Sequence, residues 1–249
     1  MSDALPRLNK YMDVIVVLRR RFFYCLIALG LGSALGLYFS GDLIRILQMP
    51  FQEVLGPGRT LVFMAPTEAF MANMWVGIIA GALLAAPYLF LQGWWVLAPV
   101  MYRQQRKTFM FVAMFTAVTF VCGGIFGYFV VLPLAMNLLV RGFEMNSIFE
   151  AVLSVQKFCF FALKLLFAFG LAFELPVVML ILGRLGLVTA QAWWRGFRYA
   201  VVLIFLIAGI LTPPDIFTQI AVAAPLCLLY ATGAGLVTLF GKKSEIKQT

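Results

Sequence analysis

Glu174 stands inside Phe173-Glu174-Leu175-Pro176, with apolar sequence on both sides. A charged carboxylate at the centre of a membrane helix costs about 2.5–3.5 kcal/mol or more, so a group kept there needs a purpose. Two readings stand: a protonated or hydrogen-bonded group filling the carbonyl gap that Pro176 makes, or a polar site for a partner helix or a water-filled cavity. Lys164 precedes it by ten positions, about 15 Å along a helix, and Lys157 lies one heptad earlier on nearly the same face. That distance excludes an ion pair within the helix. Any partner of Lys164 must come from another helix or subunit, and otherwise both lysines snorkel to the outer interface. Thr212, Asp215, Thr218 and Gln219 form a polar island between two further apolar runs, which reads as a turn or as a second polar site.

The same inventory excludes other chemistry. There is no histidine and there are only ten acidic residues, so none of the usual metal-ligand sets can be assembled. No nucleophile has a base near it in sequence, which argues against an enzyme, and no cofactor motif is present. Gly77 to Gly81, and Gly123-Gly124 with Gly127, lack the Walker lysine pattern and suit close helix packing instead. Cys25, Cys122, Cys159 and Cys227 are scattered through apolar sequence without C-x-x-C spacing, so packing is their expected role.

The elements that must position these groups follow from hydropathy. Of 249 residues, 63% are hydrophobic and 12% charged, and the mean hydropathy is +1.00. Such a surface does not face water. An all-α membrane protein is predicted, a single polytopic domain over 1–249. Residues 1–21 form a cytoplasmic interfacial segment, with Leu5, Leu8, Met12 and Ile15 at helical spacing, and 241–249 a cytoplasmic tail. Six spans are placed at about 22–40, 69–98, 109–139, 156–183, 199–212 and 217–240, near or above the ~20 residues a helix needs to cross a bilayer. Pro87, Pro133 and Pro176 fall inside spans, predicting kinks whose freed carbonyls are taken by neighbouring helices or side chains. Trp94-Trp95 and Trp193-Trp194 read as interfacial anchors.

Six spans put both termini on one side. That side gathers 14 of the 19 basic residues, among them Arg19 to Arg21, Arg103, Arg106 and Lys242, and the positive-inside rule makes it cytoplasmic. The net charge of +9 is explained by topology, with no nucleic-acid partner implied; the partner common to all spans is membrane lipid.

Several ordered motifs resemble the TatC family of twin-arginine translocase subunits. They are Leu18-Arg19-x-Arg21, Pro50, Pro66-x-Glu68-Ala69-Phe70, Ala98-Pro99-x-x-Tyr102, Tyr128-Phe129-x-x-x-x-Pro133, Phe169-Gly170-x-x-Phe173-Glu174-x-Pro176 and Leu211-Thr212-Pro213-Pro214-Asp215-x-x-Thr218-Gln219. The resemblance covers nearly the whole chain. It implies a concave six-helix bundle in the bacterial cytoplasmic (inner) membrane. Its partners would be single-span TatA and TatB-like proteins and precursors carrying an Arg-Arg signal peptide, with folded proteins exported on the proton-motive force. It also implies that Glu174, Thr212, Asp215 and Gln219 belong to a polar cluster serving partner helices.

The signal-binding carboxylates of the family are where this chain departs. The Glu of His-Leu-x-Glu-Leu-Arg, beside Arg19, falls on Val17, and the Glu of Tyr-x-x-Glu-Arg falls on Gln105. A phenylalanine usual near the end of span two is Val96, and a Glu often following Leu-Tyr in span six is Ala231. A guanidinium is held best by bidentate bonds to carboxylate. Losing two charged contacts at about 1.5–3 kcal/mol each weakens binding on the order of a hundredfold or more. The expectation is therefore a divergent paralogue that keeps partner binding and works beside a second, signal-competent TatC copy. The alternatives are an ordinary receptor with a rewired site, using Asp13 and Gln104 or Gln105, and a small-solute carrier using Glu174 and Lys164.

Overall fold

The computed structural model describes residues 4–55, 61–97, 106–144, 154–213 and 215–241, with side chains at 18–50, 52, 61–93, 114–139, 154–213 and 215–241. Gln105, Tyr102 and the basic tail lie outside the described residues, as do the side chains of Val17, Val96, Trp94 and Trp95. Among the described residues the chain is all-helical: α1 (Ala4–Tyr38), α2 (Ser40–Leu55), α3 (Pro66–Leu97), α4 (Arg106–Phe126), α5 (Leu132–Glu144), α6 (Val155–Phe173), α7 (Leu175–Arg184), α8 (Ala190–Leu211) and α9 (Ile216–Phe240). One isolated bridge, Val62 to Ser154, is the only β-type pairing among them.

Among the described residues, six stretches are long and apolar enough to cross a membrane: Leu18–Tyr38, Pro66–Gly93, Met114–Leu139, Val155–Arg184, Ala190–Leu211 and Ile216–Phe240. The first lies within α1, which runs unbroken from the sequence expected to lie at the interface. The third is α4 and α5 joined through a π-helical turn, Gly127–Val131, where the Leu132 N–H reaches Gly127 O. Pro133 lies just beyond it and brings no N–H, so the ladder widens where its donor is missing. The fourth is α6 and α7, broken at Glu174 with Pro176 in the first turn of α7.

The fifth apolar helix starts at Ala190, well before the Tyr199 suggested by hydropathy. Trp193, Trp194, Arg195 and Arg198 lower the local hydropathy, but Thr189 caps the helix by accepting the Ala192 N–H at 3.2 Å. Before it, α7 closes with a Schellman arrangement: Gly186 has φ 74°, and the Leu187 N–H bonds Leu182 O at 3.0 Å.

The chain divides into two compact units, Met1–Leu43 with Asn73–Val118, and Ile44–Ala72 with Thr119–Thr249. No linker marks the division, because it passes through α2, α3 and α4. In the first unit, Gly32 and Gly36 of α1 meet Gly77 and Gly81 of α3. A Cβ at Gly32 would lie 2.5 Å from the Gly81 carbonyl oxygen, and one at Gly36 would overlap the Gly77 carbonyl. Both helices thus carry Gly-x-x-x-Gly on the shared face, which lets the backbones approach without side chains between them. In the second unit α9 packs along α7 and α8. Its core includes Leu132, Met136, Leu165, Phe169, Met179 and Val222, all fully buried. Gly123 meets the α6 backbone in the same way, whereas Gly124 faces open space.

Candidate functional site

Glu174 is buried, with 4% of its surface exposed. Its Oε1 accepts a hydrogen bond from Thr119 Oγ1 of α4 at 3.1 Å, while Oε2 has no hydrogen-bond partner of normal geometry among the described residues. The backbone N–H of Glu174 goes to Leu171 O at 3.1 Å. The side chain is thus aimed across to another helix, where it keeps one open oxygen in an apolar core. An unmet acceptor of that kind is costly unless something else reaches it.

The other three polar-cluster residues build a separate local network at the α8–α9 turn. The Thr212 hydroxyl donates to Ala208 O at 2.9 Å, and Gln219 Nε2 donates to Phe205 O at 2.8 Å. Asp215 caps α9, its Oδ2 accepting the Thr218 N–H at 2.8 Å. That N–H holds the Asp215 carboxyl below its ordinary value, against a small opposing effect of burial. Two of these side chains therefore turn back onto α8, and the hydrogen bond of Glu174 goes to α4. Lys164 does find a partner on another helix: its Nζ donates to Ile210 O at 3.1 Å and lies 5.4 Å from the Phe160 ring centroid.

The positions expected from the resemblance to match the signal-binding motif start from α1 and α3. Val17 and Arg19 lie on α1, with the Arg19 side chain exposed, and Val96 lies in the last turn of α3. Arg20 bonds Tyr24 Oη at 3.1 Å. Arg21 donates to Gln92 Oε1 of α3 at 2.6 Å, and Gln92 is buried.

Two further connections start from motif residues, Glu68 and Tyr128, and reach partners that the motifs do not link to them. Glu68, third residue of α3 behind Pro66, takes the Met64 N–H at 2.6 Å and the hydroxyl of Ser154. Ser154 is itself the N-cap of α6, and the Val155 N–H reaches Val62 O at 3.3 Å. Pro at the first position and Glu at the third of a helix are a legible N-terminal signal; that Glu68 also holds Ser154 is not. The second connection runs from Tyr128 Oη to Ile46 O at 2.6 Å.

A sequence model of the family described as Sec-independent protein translocase protein (TatC) matches residues 13–225. The chain belongs to the TatC family. It is 35% identical over 228 residues to the TatC protein of Desulforapulum autotrophicum, covering 92% of this chain and 84% of that one. It is 36% identical over 237 residues to that of Magnetococcus marinus, covering 95% and 85%. The crystal structure of a twin arginine translocase receptor TatC superposes with a TM-score of 0.83 at 32% identity, over 91% of this chain and 98% of that one. The stretch matched to the TatC family takes in Val17, Arg19, Val96, Gln105, Glu174, Thr212, Asp215 and Gln219. The chain is accordingly a multi-pass membrane protein of a protein-translocase family.

Proposed function

We propose that this chain is a divergent TatC subunit of the twin-arginine translocase that binds single-span TatA and TatB-like partners but has weakened or lost direct recognition of Arg-Arg signals. It sits in the bacterial cytoplasmic membrane with both termini in the cytoplasm and assembles beside a second, signal-competent TatC copy. The observation that carries this reading is the split between two sets of residues. Val17 and Gln105 stand where the family motif has carboxylates, beside Arg19 to Arg21 and Arg103, which repel an arginine pair. Glu174, Thr212, Asp215 and Gln219 keep the family types, and Glu174 has a buried Oε2 without a hydrogen-bond partner of normal geometry among the described residues.

Photocrosslinkers at Val17 and Gln105, exposed in membranes to an Arg-Arg precursor and its Lys-Lys control, test the proposal. The expected result is no Arg-Arg-dependent product at either position while a probe near Gln219 still captures single-span partners. Strong Arg-Arg-dependent products would make the chain a receptor with a rewired site. In a chain without probes at these two positions, Val17→Glu with Gln105→Glu should raise the affinity for an Arg-Arg precursor on the order of a hundredfold, as two charged contacts are restored.

A further inference from the structure

Lys164 is a cation in the middle of α6 that none of the TatC motifs accounts for, and its acceptor is unusual. Ile210 is in the last turn of α8, where the final four carbonyls have no helical partner. The next donors along the chain would be the N–H groups of residues 213 and 214, and both are prolines, which have none. The Thr212 N–H and hydroxyl both go to Ala208 O, and Gln219 Nε2 goes to Phe205 O. The Ile210 carbonyl is met by Lys164 from a different helix. A cation is also the group that a helix C-terminus favours electrostatically.

We propose that Lys164 is a positioning residue: its ammonium group ties the last turn of α8 to α6 and so fixes where Thr212 and Gln219 are presented to a partner helix. The inference rests on the partner-helix reading above for its functional half. Its structural half stands without a partner. Because Gln219 bonds Phe205 O of the same helix, a shift of α8 carries Gln219 with it.

Carbonyl-13C isoleucine with 15N-leucine labelling selects three Ile-Leu pairs in this sequence, Ile46-Leu47, Ile181-Leu182 and Ile210-Leu211. Solid-state NMR of the full chain in membranes then reads the Ile210 carbonyl directly. Lys164→Met should move the Ile210 carbonyl upfield, leave Ile46 and Ile181 in place, and lower partner crosslinking at Gln219 about tenfold or more. Lys164→Arg, which keeps a charged donor, should restore both. An unmoved Ile210 carbonyl in Lys164→Met would overturn the proposal, and so would a moved carbonyl with unchanged crosslinking. Absence of any crosslink at Gln219 in the unsubstituted chain would instead sink the partner-helix reading, with the carbonyl shift still deciding the bond.

Discussion

The hydroxyl of Tyr128 donates to the carbonyl of Ile46 at 2.6 Å, and Ile46 lies four residues before Pro50 inside α2. The usual donor to that carbonyl is the N–H of the fourth residue on, which proline lacks. Tyr128 thus supplies from the π-helical turn the bond that Pro50 removes. Tyr128→Phe keeps the ring and deletes the donor, which should cost about 0.5–1.5 kcal/mol. Pro50→Ala returns an N–H to Ile46, so the double variant should lose less than the sum of the two singles. Thermal unfolding in detergent of all four proteins checks this, and strict additivity would refute it.

Tight backbone crossing between α1 and α3 gives a second expectation. A Cβ at Gly81 would lie on top of the Gly32 carbonyl, whereas a Cβ at Gly30, two residues before Gly32 on α1, would have nothing within 4 Å. Gly81→Ala should therefore destabilise by about 1–3 kcal/mol through overpacking. Gly30→Ala should be neutral or slightly stabilising, since alanine is the better helix former. Melting of the two variants side by side distinguishes a specific crossing from a general need for small residues.

Much of this architecture is legible because the membrane restricts the choices. Apolar runs of sufficient length can only be helices there, and each proline marks a place where the ladder needs an outside donor. What the sequence does not disclose is which donor arrives. Tyr128 is 82 positions from Ile46 and Lys164 is 46 from Ile210, and no local periodicity links them. Gly77 and Gly81 can be read as a packing face, but their partners Gly32 and Gly36 emerge only when α1 and α3 are brought together. Hydropathy also does not register the cap at Thr189, from which the fifth apolar helix starts.

Ser154 joins two elements at once, and its removal should be felt in both. Ser154→Ala deletes the cap of α6, where the hydroxyl accepts the Lys157 N–H at 3.3 Å, and takes a donor from buried Glu68. A loss of about 1–2 kcal/mol follows from the cap alone. Glu68→Gln should be milder, because the amide oxygen still accepts from Met64. Limited proteolysis between α2 and α3 should accelerate in Ser154→Ala more than in Glu68→Gln; the reverse order would mean that the carboxylate charge matters more than the cap.

Asp215 provides a pH signature. The Thr218 N–H lowers its carboxyl below the ordinary value in the folded protein, so the stabilisation is fully present above that ordinary value. It is lost as pH falls through the lowered folded value. Asp215→Asn keeps the cap but removes the titration, and should abolish this part of the acid sensitivity. Asp215→Ala should lose about 1 kcal/mol at neutral pH, where Asn does not. Melting curves from neutral to strongly acidic pH check the sign: a variant carrying Asn that is more acid-sensitive than the unsubstituted protein would be incompatible with it.

Glu174 and Thr119 allow folding to be separated from assembly. Thr119→Val removes the hydroxyl that meets Oε1, leaving that buried oxygen without its side-chain donor, and should destabilise by about 1–3 kcal/mol. Glu174→Ala removes the costly group itself, so the fold should tolerate it better than Thr119→Val. If the open Oε2 is what a partner helix reaches, Glu174→Ala should nonetheless reduce partner crosslinking more strongly than Thr119→Val does. Measuring melting and crosslinking on the same two variants therefore yields opposite rank orders. Matching orders, with Glu174→Ala the less damaging in both, would place Glu174 in the packing of α4 against α6 and outside the partner site.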